Sequence, residues 1–234
     1  MRLSTLDLSQ TKQWLSDAQR CEISHIIQSS FAKVAPQEYL AKYFDNAGPY
    51  QRKLRLYYHQ EKLVGYCLIT FSDENNITVI RASAAFLAQY RQGGNTFVFS
   101  LIQSVKAWLK RPWRKHYYAD TMLSPAMYRA IAKKTAIIWP HYDNPAPKGL
   151  FERFNFAGKV SSANALRCLI GVSRTTNYSE QDLVLLKASK KQEIQYYCRV
   201  NPDFDKGTAL FVIIPISFVQ VAKTLIKTLR VGVR

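Results

Sequence analysis

The segment Gln89-Tyr90-Arg91-Gln92-Gly93-Gly94-Asn95-Thr96 is the part of this sequence best suited to chemistry. A β-rich run, Ile77 to Phe86, leads into it, and a helical pattern, Phe97 to Leu109, follows it. Strand, glycine-containing turn and helix in that order gather free backbone N–H groups and the positive end of a helix at one spot, which suits an anionic group such as a phosphate. Glycines also serve simply to turn a strand tightly into a helix, so both readings stand. Other residue types offer no ready reaction centre. Cys21, Cys67, Cys168 and Cys198 are widely separated, with no CxxC or Cys/His ligand spacing, and read as buried or half-buried free thiols with no metal site. His25, His59, His116 and His141 are equally scattered and read as surface or structural residues.

The elements that must position this turn follow from hydrophobic periodicity. Ser16 to Lys33 carries Ile23, Ile26, Ile27 and Phe31 at helical spacing, and Gln37 to Phe44 continues after Pro36. Leu54 to Tyr58 and Leu63 to Phe71 read as strands joined by a polar connection, and Asp73-Glu74-Asn75-Asn76 is a second turn leading into Ile77 to Phe86. Three consecutive antiparallel strands result, with no clear strand ahead of the two helices. In Phe97 to Leu109, the residues Val98, Leu101, Ile102, Val105 and Leu109 form the apolar stripe. His116 to Met122 reads as a further strand, and Ser124 to Thr135 as a helix with a capping serine and a proline at its first position. Leu150 to Phe156 reads as a short helix, Ser161 to Ser179 as polar and ambiguous, and Lys191 to Val200 and Thr208 to Ile216 as strands. Phe218 to Val231 is an amphipathic basic helix, read first as a cover for the sheet and second as a membrane-surface or partner-binding element.

Charge bounds the partners without choosing among them. The 234 residues carry 33 Lys+Arg against 16 Asp+Glu, a net charge of +17, which favours phosphate-bearing ligands, nucleic acids and acidic surfaces alike. The basic residues are spread along the chain and not gathered on one recognition helix, so nucleic acid is a possible but not a favoured partner. The longest apolar stretch, Ala209 to Ala222, is interrupted and shorter than a bilayer span. The mixed polar N-terminus lacks the pattern of a secretory signal, and a cytoplasmic location is expected.

Residues Tyr90 to Thr96 resemble the pyrophosphate loop of the GNAT superfamily of N-acetyltransferases, R/Q-x-x-G-x-G/A, with Arg91 first, Gly94 as the glycine and Thr96 where glycine or alanine is usual. The two helices and the meander ahead of the loop match the family's order of elements. The resemblance implies an α/β fold with a mixed central sheet of about seven strands flanked by helices. It implies one domain over 1–234: a core over 1–140 with the cofactor loop, then an insertion, the last two strands and the C-terminal helix over 141–234. It implies acetyl-CoA or another acyl-CoA as cofactor and an amine as acceptor. Backbone N–H groups of Gln92, Gly93, Gly94, Asn95 and Thr96 would hold the pyrophosphate, and Phe86, Leu87 and Ala88 would offer main-chain hydrogen bonds to the pantetheine arm. Thr96 either crowds the phosphate or adds a hydroxyl donor.

The family's N-x-x-A-x-x-x-Y pattern is altered here. Ser124 stands in the asparagine's place as a cofactor contact, or as a plain helix cap, and Ile131 in the tyrosine's. Tyr128, one turn after Ser124, is the candidate proton donor, or a packing residue. The glutamate that many members carry on the fourth strand is missing from Arg81-Ala82-Ser83-Ala84-Ala85-Phe86. Asp120 is the preferred carboxylate, ahead of Asp73 and Glu74, with a capping or salt-bridging role as its alternative. The expected function is acyl-CoA-dependent N-acyl transfer. A catalytically silent binding module and a basic nucleic-acid binder are the alternatives.

Overall fold

The computed structural model describes residues 3–91, 94–172 and 174–232, with only the backbone described for 230–232. The chain forms two compact units, Met1–Lys115 and His116–Arg234.

The first unit is a four-stranded antiparallel sheet with helices. Strand β1 (Ser4–Ser9) pairs with β2 (Gln51–His59), β2 with β3 (Lys62–Glu74), and β3 with β4 (Ile77–Phe86). The register aligns Leu8, Leu54, Leu68 and Ser83 across the four strands. Two tight turns set it. Gln60 at φ 56° closes β2–β3, and Asn75 and Asn76 at φ 47° and 67° close β3–β4, where asparagine tolerates the left-handed conformation well. Helix α1 (Asp17–Ser30) starts in a capping box between Ser16 and Gln19 and buries Ile23, Ile26 and Ile27. Helix α2 (Pro36–Leu40) runs on into a wide turn over Ala41–Asp45 and buries Tyr39, whose hydroxyl hydrogen-bonds Ser83.

Helix α3 (Thr96–Lys110) turns a mixed face inward. Its stripe of Val98, Leu101, Ile102, Val105 and Leu109 is not the buried face: Phe99 and Ser104 are buried, while Val98, Ile102 and Leu109 are exposed. The sheet explains the choice. Arg55 of β2 and its cross-strand neighbour Cys67 of β3 meet the helix, with the guanidinium 4.3 Å from the Phe99 ring centroid and the thiol 3.8 Å from Ser100 Oγ. A polar sheet surface takes an aromatic ring and hydroxyls more readily than aliphatic side chains.

The second unit holds three antiparallel strands, β5 (Lys115–Met122), β6 (Leu169–Gly171) and β7 (Thr208–Ile216), with β7 between the other two. Leaving aside the two-residue strands Phe31–Ala32 and Thr175–Thr176, four and three strands make the expected seven, and helices flank them. The helices here are α4 (Pro125–Ala132), α5 (Lys148–Phe154), α6 (Glu180–Lys187), α7 (Gln192–Val200) and α8 (Phe218–Gly232). Residues 191–200, read as a strand, are therefore corrected to helix α7. Its buried Ile194, Tyr197 and Val200 recur every three residues, a helical spacing despite the β-favouring side chains. The third strand of this unit comes instead from the segment read as ambiguous. Cys21 is also corrected from buried or half-buried to exposed. Among the described residues, no helix is long and apolar enough to cross a membrane, and no group of three or more His, Cys, Asp or Glu could hold a metal ion.

Candidate functional site

In the first unit, β4 leads through a short 3-10 turn, Ala88–Tyr90, and the loop to α3. The main chain at the end of β4 is partly engaged within the protein. The Phe86 carbonyl accepts from the Ser30 hydroxyl at 3.0 Å, the Leu87 N–H donates to Val64 at 3.0 Å, and the carbonyls of Leu87 and Ala88 accept from Tyr90 and Arg91. Carbonyl oxygens retain a second lone pair for a ligand; the Leu87 N–H has no such reserve. Arg91 is exposed, and Gln92 and Gly93 lie outside the described residues.

Gly94 is held glycine by packing. A Cβ there would sit 2.1 Å from Cζ of Phe86, and one on Gly65 would sit 2.1 Å from Cδ1 of the same ring. The two glycines thus bracket a buried aromatic ring. Asn95 caps α3, accepting from the Val98 N–H at 3.3 Å through its side chain and from the Phe99 N–H at 3.4 Å through its carbonyl. The N–H groups of Asn95 and Thr96 donate to no partner among the described residues. No acidic residue stands in the first turn of α3, so this helix end is electropositive.

In the second unit, Ser124 caps α4. Its Oγ accepts from the Met127 N–H at 3.2 Å and from the Tyr178 hydroxyl at 3.0 Å. Ser124 is buried and Tyr178 half-buried. Asp120, half-buried on β5, accepts from the Thr121 N–H at 2.7 Å and from the Tyr118 hydroxyl at 3.4 Å.

Tyr128, the candidate proton donor or packing residue, lies in the interior with its hydroxyl engaged. It is 0% exposed and its hydroxyl donates to the Pro140 carbonyl at 2.9 Å. Burial pushes its ionisation far above the ordinary tyrosine value. Its ring packs between helices, 6.2 Å from Tyr196 and 5.8 Å from Tyr197. Tyr178, which sequence reasoning missed, is the phenol that reaches the start of α4. No local pattern could have found it, because its partner lies 54 positions away.

The same unit contains a cavity of about 420 Å³ lined by His141, Tyr142, Asn144, Asn164, Leu166 and Tyr196, among others. His141 is buried and stacks on Tyr142 with centroids 4.0 Å apart. Burial lowers its pKa, outweighing the attraction of Asp143. Its Nδ1 accepts the Asp143 backbone N–H at 3.1 Å, so the neutral ring carries its proton on Nε2. The imidazole is thereby fixed as a donor. Asn144 lies on this cavity wall.

No family model matches the chain, and no curated protein does. Among solved structures, the ribosomal-protein-S18-alanine N-acetyltransferase from Escherichia coli is similar at 10% identity, covering 91% of this chain and 96% of its own, with a TM-score of 0.39. A GCN5-related N-acetyltransferase from Kribbella flavida gives 10%, 92%, 98% and 0.38 in the same terms. A GNAT-family acetyltransferase from Streptococcus pneumoniae gives 11%, 91%, 100% and 0.35. The solved structures similar to this chain thus include N-acetyltransferases of the GNAT family, at low sequence identity and low structural overlap.

Proposed function

We propose that this chain is an acyl-coenzyme A-dependent N-acyltransferase, acetyl transfer to an amine being its simplest form. The observation that carries the reading is the passage from β4 through the Arg91–Thr96 loop to the acid-free N-terminus of α3, where the Asn95 and Thr96 amides donate to no partner among the described residues. Main-chain amides at such a helix end suit a pyrophosphate. Gln92, Gly93 and Gly94 would add their amides to it, Arg91 its charge, and Thr96 its hydroxyl. Phe86, Leu87 and Ala88 would line the pantetheine arm, mainly through carbonyl oxygens. Acyl-CoA, when bound, supplies an activated thioester carbonyl.

For proton handling the reading turns to Tyr178 Oη, held by Ser124, in place of Tyr128. Asp120 remains the proposed carboxylate for the incoming ammonium, held in place by the Tyr118 hydroxyl and the Thr121 N–H. With no carboxylate in Arg81–Phe86, much of the rate would rest on holding a neutral amine close to the thioester, since proximity contributes several kcal/mol. A thiol-release assay with acetyl-CoA and a panel of amines tests the reading. Turnover that falls at least about tenfold in Tyr178→Phe, with KM for acetyl-CoA nearly unchanged, supports it. Equal turnover in Tyr178→Phe removes that residue, and no release with any amine removes the transfer.

A second reading is favoured by one observation, the commitment of Tyr128 to Pro140 where a proton donor was sought. In it the chain binds acyl-CoA without turning it over. Cofactor binding with no thiol release would select this reading. Steeply salt-dependent binding of DNA or RNA, with indifference to coenzyme A, would select the nucleic-acid alternative.

A further inference from the structure

Helix α8 is built with its polar side inward. Gln220 and Thr224 are 3% and 2% exposed. Gln220 meets both backbone groups of Ile137, accepting from its N–H at 3.0 Å and donating to its carbonyl at 2.9 Å. Thr224 Oγ1 accepts from the Ala136 N–H at 3.2 Å. The Lys227 ammonium donates to the carbonyls of Ala132 and Thr135 at 3.0 and 2.8 Å. The end of α4 and the loop after it present backbone groups in need of partners, and α8 supplies polar side chains to them. This reverses the expected packing, in which Val221, Leu225, Ile226 and Leu229 cover the sheet.

The side turned to solvent is apolar. Phe218 and Leu229 are 71% and 72% exposed, and Val219, Leu225 and Ile226 are each more than half exposed. Positions 218, 225 and 229 share one helical face, with 219 and 226 beside it. Soluble monomers rarely leave a contiguous apolar strip of this kind uncovered.

Charge identifies what covers it. The helix carries Lys223, Lys227 and Arg230 and no acidic residue, within a chain of net charge +17. Lys223 is exposed, as is Lys133 in the segment on which α8 docks. A second copy meeting the strip across a two-fold axis would bring these like charges together. An anionic bilayer offers apolar depth to the strip and phosphates to the exposed Lys223 and Lys133. At 15 residues, α8 is about 22 Å long and suits lying in the interface plane.

We propose that α8 docks this chain on the surface of an anionic phospholipid bilayer, with Phe218, Leu225 and Leu229 entering the acyl boundary. The test is flotation of the full chain with phosphatidylcholine vesicles and with vesicles also containing phosphatidylglycerol, at about 0.15 M salt. The expected result is association with the anionic vesicles that falls about tenfold in Leu225→Ser/Leu229→Ser, a variant of unchanged net charge. Lys223→Glu should weaken it as well. Equal flotation of wild type and the double serine variant would show general charge attraction and overturn the proposal. So would absence of binding together with a dimer, seen by light scattering, that the serine variant dissociates. The melting midpoint of the serine variant should match wild type, since both leucines are exposed; a lowered midpoint would place the strip inside the protein and overturn the proposal too.

Discussion

Replacing Gly94 with alanine isolates what the candidate loop demands of its glycine. The new Cβ would fall 2.1 Å from Cζ and 2.5 Å from Cε1 of Phe86. The ring has little room to yield, because it also packs on Gly65, where a Cβ would likewise fall 2.1 Å from it, and Tyr57 lies 5.0 Å away between centroids. Overpacking of this kind costs about 1–3 kcal/mol. Phe86→Leu alone removes buried ring contacts and costs about 1–2 kcal/mol as a partial truncation. Combined, the two changes should be less destabilising than their sum by about 1 kcal/mol or more, because the leucine vacates the space that the alanine enters. Urea denaturation of the four proteins gives the cycle, provided the slopes agree. Strict additivity, or a Gly94→Ala variant as stable as wild type, would refute the reasoning.

Gln220→Leu should destabilise the protein by about 2–4 kcal/mol, because it leaves the N–H and carbonyl of Ile137 without their partner; a melting midpoint equal to wild type would contradict the inward polar face of α8. His141 has a folded pKa below its ordinary 6.5, so the unfolded chain takes up a proton first as pH falls. Stability from this residue is fully present above about pH 6.5 and is lost as pH drops through the lower folded value. Urea midpoints measured across that window should fall more in wild type than in His141→Gln, and parallel curves would contradict the burial argument.

The β2–β4 meander was legible because alternating apolar residues and polar turns occur together, as at Asp73–Asn76. Strand β1 was hidden: of its six residues only Leu8 and Ser9 are buried, and an edge strand shows little alternation. Helix α7 misled because Ile194, Tyr196, Tyr197 and Val200 favour strands, while its docking on α4 needs a helix. The apolar stripes of α3 and α8 turn outward for a shared reason. Periodicity shows that a helix has an apolar side, but the partner surface decides which side turns in. In α3 that surface carries Arg55, and in α8 it is the bare backbone of Ala132 to Ile137. Of the candidate site, the loop and its place between strand and helix could be read from local order. The pairing of Tyr178 with Ser124, the commitment of Tyr128 and the cavity beside His141 depend on contacts between distant segments.

The most direct measurement is titration of the purified full chain with acetyl-CoA and with free coenzyme A by calorimetry, alongside the melting midpoint in excess ligand. A ligand at about 100 times its Kd stabilises the native state by about 2.7 kcal/mol. The account predicts saturable binding of one cofactor per chain and a raised midpoint, both weakened in Arg91→Ala. No heat and no shift with acetyl-CoA, longer acyl-CoA or coenzyme A would contradict it.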